Sequence, residues 1–318
     1  MDNLQRTSEQ PGISKTLEER IGNSADVSWR IFGKRIVFYL PGMFTINGEQ
    51  GKYPAISVTG AECELHCKHC RGKLLKPMFP VRTSDELLSL AEKWKSAGVK
   101  GILLSGGSTK DGFVPHFPLL SLLPKLKEMG FFISAHSGFA TRKLAKALAD
   151  AGVDQVLIDV VGDDETMRDV LNIRDGIKVL KDSLDALFSA KLVVVPHIII
   201  GLKGKISGEY KALEILKDYP FDIISYVVLM PAVAIGKRVK PIPVNQAIEI
   251  IVTGRELFPG IEHSLGCARP RGKYRRDIEK WALRAGINRM ALWSEESIEE
   301  AKKLELEIVF KKTCCSVL

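Results

Sequence analysis

The sequence has no apolar run approaching the ~18–20 residues that a membrane-spanning helix needs. Its longest candidate, Ile223 to Gly236, is broken by Ser225 and Pro231. Met1 to Lys15 is polar and carries no secretory apolar stretch. No G-x-G-x-x-G follows the first apolar strand, which counts against a dinucleotide-binding fold. Aromatic residues are sparse at 7%. Composition is not extreme either: 45% of residues are apolar and 26% charged, which excludes disordered, collagenous or low-complexity chains. The expectation is a soluble, cytoplasmic protein. At 318 residues it is long enough to bury a full core without staples, as two domains or one α/β barrel of about 250 residues.

Six cysteines do not make a disulfide framework here. Three fall within eight residues (Cys63, Cys67, Cys70), two are adjacent (Cys314, Cys315), and Cys267 stands alone. Clustering of this kind more often marks a metal site.

Residues 1–50 read as an N-terminal extension, with helical character over Lys15 to Ile31 and a strand over Arg35 to Leu40. From about residue 54, apolar β-branched runs alternate with amphipathic helical stretches. The runs are Ala55–Thr59, Gly101–Ser105, Phe131–Ala135, Gln155–Val160, Val193–Ile200, Asp222–Leu229, Gly260–Leu265 and Asn288–Leu292. Gly98, Gly130, Gly152 and Gly286 precede strands where a helix end needs positive φ. Ser84 and Ser294 each precede two acidic residues and read as helix caps. Apolar strands separated by helices imply a parallel sheet covered on both faces. Eight such units predict an α/β fold of the (β/α)8 TIM-barrel type over residues 51–305, with a doubly wound open sheet as the alternative. Residues 306–318 form a C-terminal tail. Its seven-residue extended run, Leu306 to Lys312, is long enough to return the tail to the active face of the barrel.

The decisive segment is Cys63-Glu-Leu-His-Cys67-Lys-His-Cys70, just after the first strand. Three thiolates on one tight loop can hold three irons of a [4Fe–4S] cubane and leave the fourth open. A zinc knuckle completed by His66 or His69 is the alternative, but no distant second C-x2–4-C pair is present.

On these residues the chain resembles the radical S-adenosylmethionine (SAM) superfamily, from about Pro54 to the C-terminus. The resemblance implies that the open iron binds SAM and that an electron from the cluster cleaves it to a 5′-deoxyadenosyl radical. Ser105-Gly106-Gly107-Ser108 stands where the family has a Gly-Gly-Glu-like motif at the SAM amino group, with serine in place of the acid. Ser134 to Gly138, with Ser134 and His136, and Asp159 to Asp163 occupy the places of ribose and methionine contacts. His197 and the Ile198–Leu202 segment, with Gly201, stand where the family supports adenine, and Met230 to Ala232 ends the sixth strand. His69 replaces a usual aromatic residue. All lie at C-terminal strand ends, where barrel enzymes place their chemistry.

Cys267, Cys314 and Cys315 could bind a second, auxiliary cluster, with Ser316, Arg269 or Arg271 as an unusual fourth partner. Three unrelated thiols are the alternative, and Cys315-Ser-Val-Leu318 also fits a C-terminal prenylation box with Lys311-Lys312 upstream. The whole sequence further resembles the biotin-synthase-related subunit of the two-protein, archaeal-type lipoyl synthase. The cues are Cys-Arg-Gly-Lys from Cys70, Gly-Cys-Ala-Arg-Pro-Arg-Gly from Gly266, and the terminal Cys-Cys-Ser. That resemblance implies an octanoylated carrier protein domain as substrate, sulfur donated by the auxiliary cluster, a second radical SAM subunit, and an electron donor such as ferredoxin.

Net charge is +8, from 46 basic and 38 acidic residues. Arg269, Arg271, Lys273, Arg275 and Arg276 crowd beside Cys267. A solvated helix face, a dock for an acidic carrier domain and an RNA-binding patch are the three readings. No aromatic platform interleaves with these cations, so nucleic acid is not the expected partner.

Overall fold

The computed structural model describes residues 13–230 and 240–318. All eight expected runs are strands, and their polypeptide order is their order in the sheet. With β1 at Arg35–Tyr39, β2 and β3 in a small hairpin (Thr45–Ile46, Glu49–Gln50) and β5 at Phe79–Pro80, the eight are β4 (Ala55–Ser57), β6 (Gly101–Ser105), β7 (Phe132–His136), β8 (Gln155–Val160), β9 (Val194–Ile200), β10 (Ile223–Val228), β11 (Glu262–Leu265) and β12 (Arg289–Ala291). A last strand, β13, spans Glu307–Lys311. Every pairing in the main sheet is parallel. Continuous burial along β4, β8 and β10 explains why the sequence shows unbroken apolar runs rather than alternation.

The sheet curls but does not close as a ring of eight. β12 pairs with β1, and β1 with β13, so two strands outside the repeat extend the wall beyond the eighth. One backbone hydrogen bond, from Lys52 N–H to Lys312 O at 2.6 Å, joins the end of β13 to the segment leading into β4. The helix Lys15–Phe32 fixes β1 in place. Ser24 and Ser28 donate to the carbonyls of Ala285 and Gly286 at 2.8 and 2.7 Å. A Cβ on Gly286 would stand 2.8 Å from Ala25 Cα, so only glycine lets the helix pack this closely. The rings of Phe38, Trp293 and Phe310 meet around β1 with centroids 5.0–5.7 Å apart, and the contacts of the buried Phe38 help hold the added strands.

Local signals held in most places. Gly98, Gly130, Gly152 and Gly286 have φ between 74° and 89°. Ser294 caps its helix. Before the helix Ser84–Ser96 the capping residue is Thr83, not Ser84: its hydroxyl accepts from Glu86 N and the Glu86 carboxylate accepts from Thr83 N. Of the Met230–Ala232 segment, 231 and 232 lie outside the described residues. No helix among the described residues is long and apolar enough to cross a membrane.

Candidate active site

The cysteine loop leaves the C-terminal end of β4 and is held from two sides. On one side is the turn after β6. Ser108 O accepts from Glu64 N and Leu65 N at 2.9 and 3.2 Å. Gly107 N donates to Thr59 Oγ1 at 2.7 Å. A Cβ on Gly107 would fall 1.9 Å from Glu62 O and 2.6 Å from Cys63 Cα. The second glycine of the pair is therefore required by the backbone of the cysteine loop itself. On the other side is the end of the helix Asp164–Leu171. Val170 O accepts from Lys68 N at 2.8 Å, and Asn172 Nδ2 donates to Leu65 O at 2.8 Å. His66 and Arg71 take positive φ to make the turn so tight.

This clamp places Cys63, Cys67 and Cys70 on one short arc. Burial pushes the Cys67 thiol far up, and the neighbouring Cys70 and Cys63 add to the shift; burial likewise raises Cys70. The shifts that Cys63 imposes on Cys67 and Cys70 mean that thiolates on this arc repel, and a polynuclear cationic cluster relieves that repulsion. All six cysteines are free thiols. Among the described residues no three His, Cys, Asp or Glu side chains already stand in a metal-holding group, so the fit rests on the donor chemistry and on the loop. His69 lies inside the same arc. Its Nδ1 is buried without a hydrogen-bond partner, and burial lowers its pKa, so the ring is neutral.

From the loop a line of polar side chains crosses the interior of the sheet. The charge of Asp159, at the end of β8, is felt by His69, Cys67, Cys70 and His197. His136 Nε2 stands 3.7 Å from Asp159 Oδ1, and its ring centroid is 6.0 Å from that of His197. Burial lowers His197 to about 4, leaving it neutral. His197 Nε2 lies 3.3 Å from Ser316 Oγ, in the C-terminal tail.

The tail runs inside the curled sheet. Cys315 packs with Val37, Tyr39 and Ala291, and Cys267 and Cys314 pack against the same cluster. Arg289, the first residue of β12, donates to the carbonyls of Cys315 and Val317 at 3.3 and 2.5 Å while its Nε donates to Glu262 at 2.6 Å. Gln155, the first residue of β8, donates to Ser316 O at 2.8 Å and accepts from Leu318 N at 3.3 Å. Burial, reinforced by Cys315, raises Cys267 to about 11. Cys314 is raised by its hydrogen bond to Cys315 and by burial; Cys315 is lowered by that same bond, by Ser264 and Ser316, and by Arg289.

Residues 57–216 match the family model described as the radical SAM superfamily. The chain belongs to that superfamily. It is 25% identical to a GTP 3′,8-cyclase of Pseudomonas putida (strain W619) over 241 residues, 74% of this chain and 70% of that protein. It is 27% identical to a biotin synthase of Buchnera aphidicola over 272 residues, 81% and 76% of the two chains. The solved structure of methylornithine synthase superposes with a TM-score of 0.65 at 16% identity, covering 94% of this chain and 91% of the other; at that identity the likeness is one of fold.

As a radical SAM enzyme the chain uses a [4Fe–4S] cluster and SAM. Several side chains expected at SAM have other partners. The Ser134 hydroxyl is bonded to Tyr53 OH at 2.6 Å. Gly201 N donates to the buried Glu209 carboxylate at 2.7 Å, and a Cβ there would stand 2.8 Å from Ile242. Ser105 O accepts from Val58 N at 2.8 Å, and Ser108 O closes on the cysteine loop. Gly106 packs under Val58 and Val114.

Arg269 is buried, with its terminal nitrogens on Glu279, Gly266 O and Leu292 O. The basic run beside Cys267 is largely neutralised. Lys273 pairs with Asp277, Arg275 with Glu279 and Arg276 with Glu296. Arg271, exposed, has no ion-pair partner among the described residues. Gln155, Arg289, Tyr53 and Asn172 escaped the sequence reading. For Gln155 and Arg289 a signal existed: each is a large polar residue opening a mainly apolar strand.

Proposed function

We propose that this radical SAM enzyme is a sulfurtransferase: a lipoyl synthase subunit that inserts sulfur from an auxiliary iron–sulfur cluster into an octanoyl chain on a carrier protein domain. One observation carries the reading. Cys267 and the Cys314–Cys315 pair, distant in sequence, pack together inside the same curled sheet that holds the first cysteine loop. The likeness to a biotin synthase supports it, since inserting sulfur into an unactivated carbon needs both a radical and a sulfur source.

In this reading Cys63, Cys67 and Cys70 hold the [4Fe–4S] cluster. Once loaded, cluster and SAM supply the 5′-deoxyadenosyl radical that removes hydrogen from the octanoyl chain. Gly106 and Gly107 with the Ser105 and Ser108 backbone border the SAM side, and His136, Asp159 and His197 line the space between the two sets of cysteines. Cys267, Cys314 and Cys315 hold the sulfur-donating cluster. Ser316 is the better fourth partner, because the terminal nitrogens of Arg269 are committed to Glu279 and two carbonyls. A second radical SAM subunit shares the two insertions, and a ferredoxin-type carrier supplies electrons.

The test is Cys267→Ala. It should abolish sulfur insertion into an octanoylated carrier domain while SAM cleavage stays within about twofold of wild type. Loss of both activities together would point to a folding role for Cys267. The likeness to GTP 3′,8-cyclases favours a second reading, a radical enzyme without sulfur transfer; full turnover by the Cys267→Ala enzyme would select it.

A further inference from the structure

Strand register sets one polar level across the interior of the sheet. Asp159 of β8 lies opposite His197 of β9, His197 opposite Ser225 of β10, Ser225 opposite Ser264 of β11, and Ser264 opposite Arg289 of β12. Two residues earlier on β8, β9 and β10 the level is aliphatic: Leu157, Val195 and Ile223 pack together, with Leu103 against them. Successive residues of a strand face opposite ways. Tyr226 and His263 turn outward, where Tyr226 OH lies 3.1 Å from His263 Nδ1 and leaves no room for a Cβ on Gly254 of the covering helix. Ser225 and Ser264 therefore face the interior. Both are 0% exposed, and neither hydroxyl has a hydrogen-bond partner among the described residues. Their neighbours at the same level are engaged with the tail, His197 with Ser316 and Arg289 with the carbonyls of Cys315 and Val317.

A buried hydroxyl without a partner carries a free-energy cost that a ligand bearing acceptor atoms removes. What stands next to these two hydroxyls is the second set of cysteines. Ser225 Oγ lies beside Gly266, the residue before Cys267: a Cβ on Gly266 would stand 3.2 Å from it. Ser264 is close enough to Cys315 to help hold that thiol below its usual value. Thiolate and sulfide sulfurs of an iron–sulfur cluster accept hydrogen bonds, and those bonds tune its reduction potential. We propose that Ser225 and Ser264 are positioning residues that donate hydrogen bonds to sulfurs of the auxiliary cluster held by Cys267, Cys314 and Cys315 and raise its reduction potential. The proposal rests on the reading of those cysteines as a cluster site. Each bond stabilises the negative charge gained on reduction, so the pair favours the reduced state. Forming a carbon–sulfur bond between a carbon radical and a sulfide leaves one electron on the cluster irons, so a raised potential favours that step.

The test is a potentiometric titration of the reconstituted holoenzyme followed by electron paramagnetic resonance. Wild type is compared with Ser225→Ala, Ser264→Ala, the double variant and Ser264→Thr, which keeps a hydroxyl. The Cys63→Ala, Cys67→Ala, Cys70→Ala background assigns the auxiliary signal. Each alanine should disfavour reduction of the auxiliary cluster about tenfold, which is about 59 mV for a one-electron couple, and the double variant should shift further. Ser264→Thr should stay within about threefold of wild type, because the donor is retained. The cluster of the first cysteine loop should keep its potential in every variant. In the metal-free protein each alanine removes an unpaired buried hydroxyl, so the urea midpoint should not fall. Unchanged auxiliary potentials in both alanine variants at full iron content would overturn the proposal, as would an equal shift of both clusters. Loss of auxiliary iron from Ser264→Ala that Ser264→Thr restores would place the hydroxyl on the cluster. Loss from Ser264→Thr as well would assign the serine to packing and overturn the proposal. About four irons in the wild type would remove the auxiliary cluster itself, a failure of the sulfur-transfer reading that shows before any serine is changed.

Discussion

Single residues decide whether the cysteine loop can form. Gly107 has the Glu62 carbonyl where its Cβ would be. Gly107→Ala must displace backbone rather than a flexible side chain, so it should lower iron incorporation at least severalfold. Gly106→Ala meets side-chain atoms no closer than 3.0 Å and should be the milder change. Iron analysis of the two variants after identical reconstitution checks the ranking. Buried histidines give the protein an acid limit of their own. Burial lowers His116 to about 4 and His263 well below its usual value. Because the folded pKa lies below the unfolded value of 6.5, the unfolded chain takes up these protons first. Their neutral forms cost nothing above about pH 6.5, and stability falls as pH drops from there towards 4. The slope approaches about 1.4 kcal/mol per pH unit for each such group. Urea unfolding of the metal-free protein at pH 7.5 and pH 5 should show this loss, and His116→Asn should make it shallower. A flat profile across that window would contradict the burial assigned to these rings.

Among the elements, most of the eight repeated strands were readable because burial on both faces writes them as largely apolar runs, as in β4, β6 and β10; β11, Glu-His-Ser-Leu, is the exception. The site of β1 was not. Arg35–Tyr39 announces a strand, but parallel pairing with β12 and β13 is set by contacts some 250 residues away, which no local pattern records. The tail was legible only as an extended run of the right length. What threads it is side-chain chemistry: Gln155 and Arg289 bind its carbonyls, and His197 meets Ser316. Arg289→Leu removes two of those bonds and leaves Glu262 without its partner. The variant should keep its helical content but lose its last residues to carboxypeptidase faster than wild type, by about tenfold or more. Equal digestion rates would mean that the tail is held by other contacts.

At the scale of the whole molecule, two groups of three cysteines occupy one curled sheet. The first was fully legible, because a C-x3-C-x2-C loop has few other uses. The second was legible only as a possibility, because Cys267 and Cys314–Cys315 meet through the insertion of β1 beside β12 and the return of β13. Asp159, His136, His197 and Ser316 are successive neighbours inside the sheet, leading from the end of β8 to the tail. Tertiary contacts also decide how much of the charge beside Cys267 is paired. A run of arginines looks available until folding supplies Glu279, Glu296 and Asp277, whereas Lys68, Arg71, Lys73 and Lys76 have no ion-pair partner among the described residues.

The most direct measurement is iron and sulfide content after anaerobic reconstitution of three proteins: wild type, a Cys63→Ala, Cys67→Ala, Cys70→Ala variant and a Cys267→Ala, Cys314→Ala, Cys315→Ala variant. Two [4Fe–4S] clusters require about eight irons in the wild type and about four in each variant. About four irons in the wild type, none in the first variant and four in the second would leave the enzyme without a sulfur source and contradict the sulfur-insertion reading.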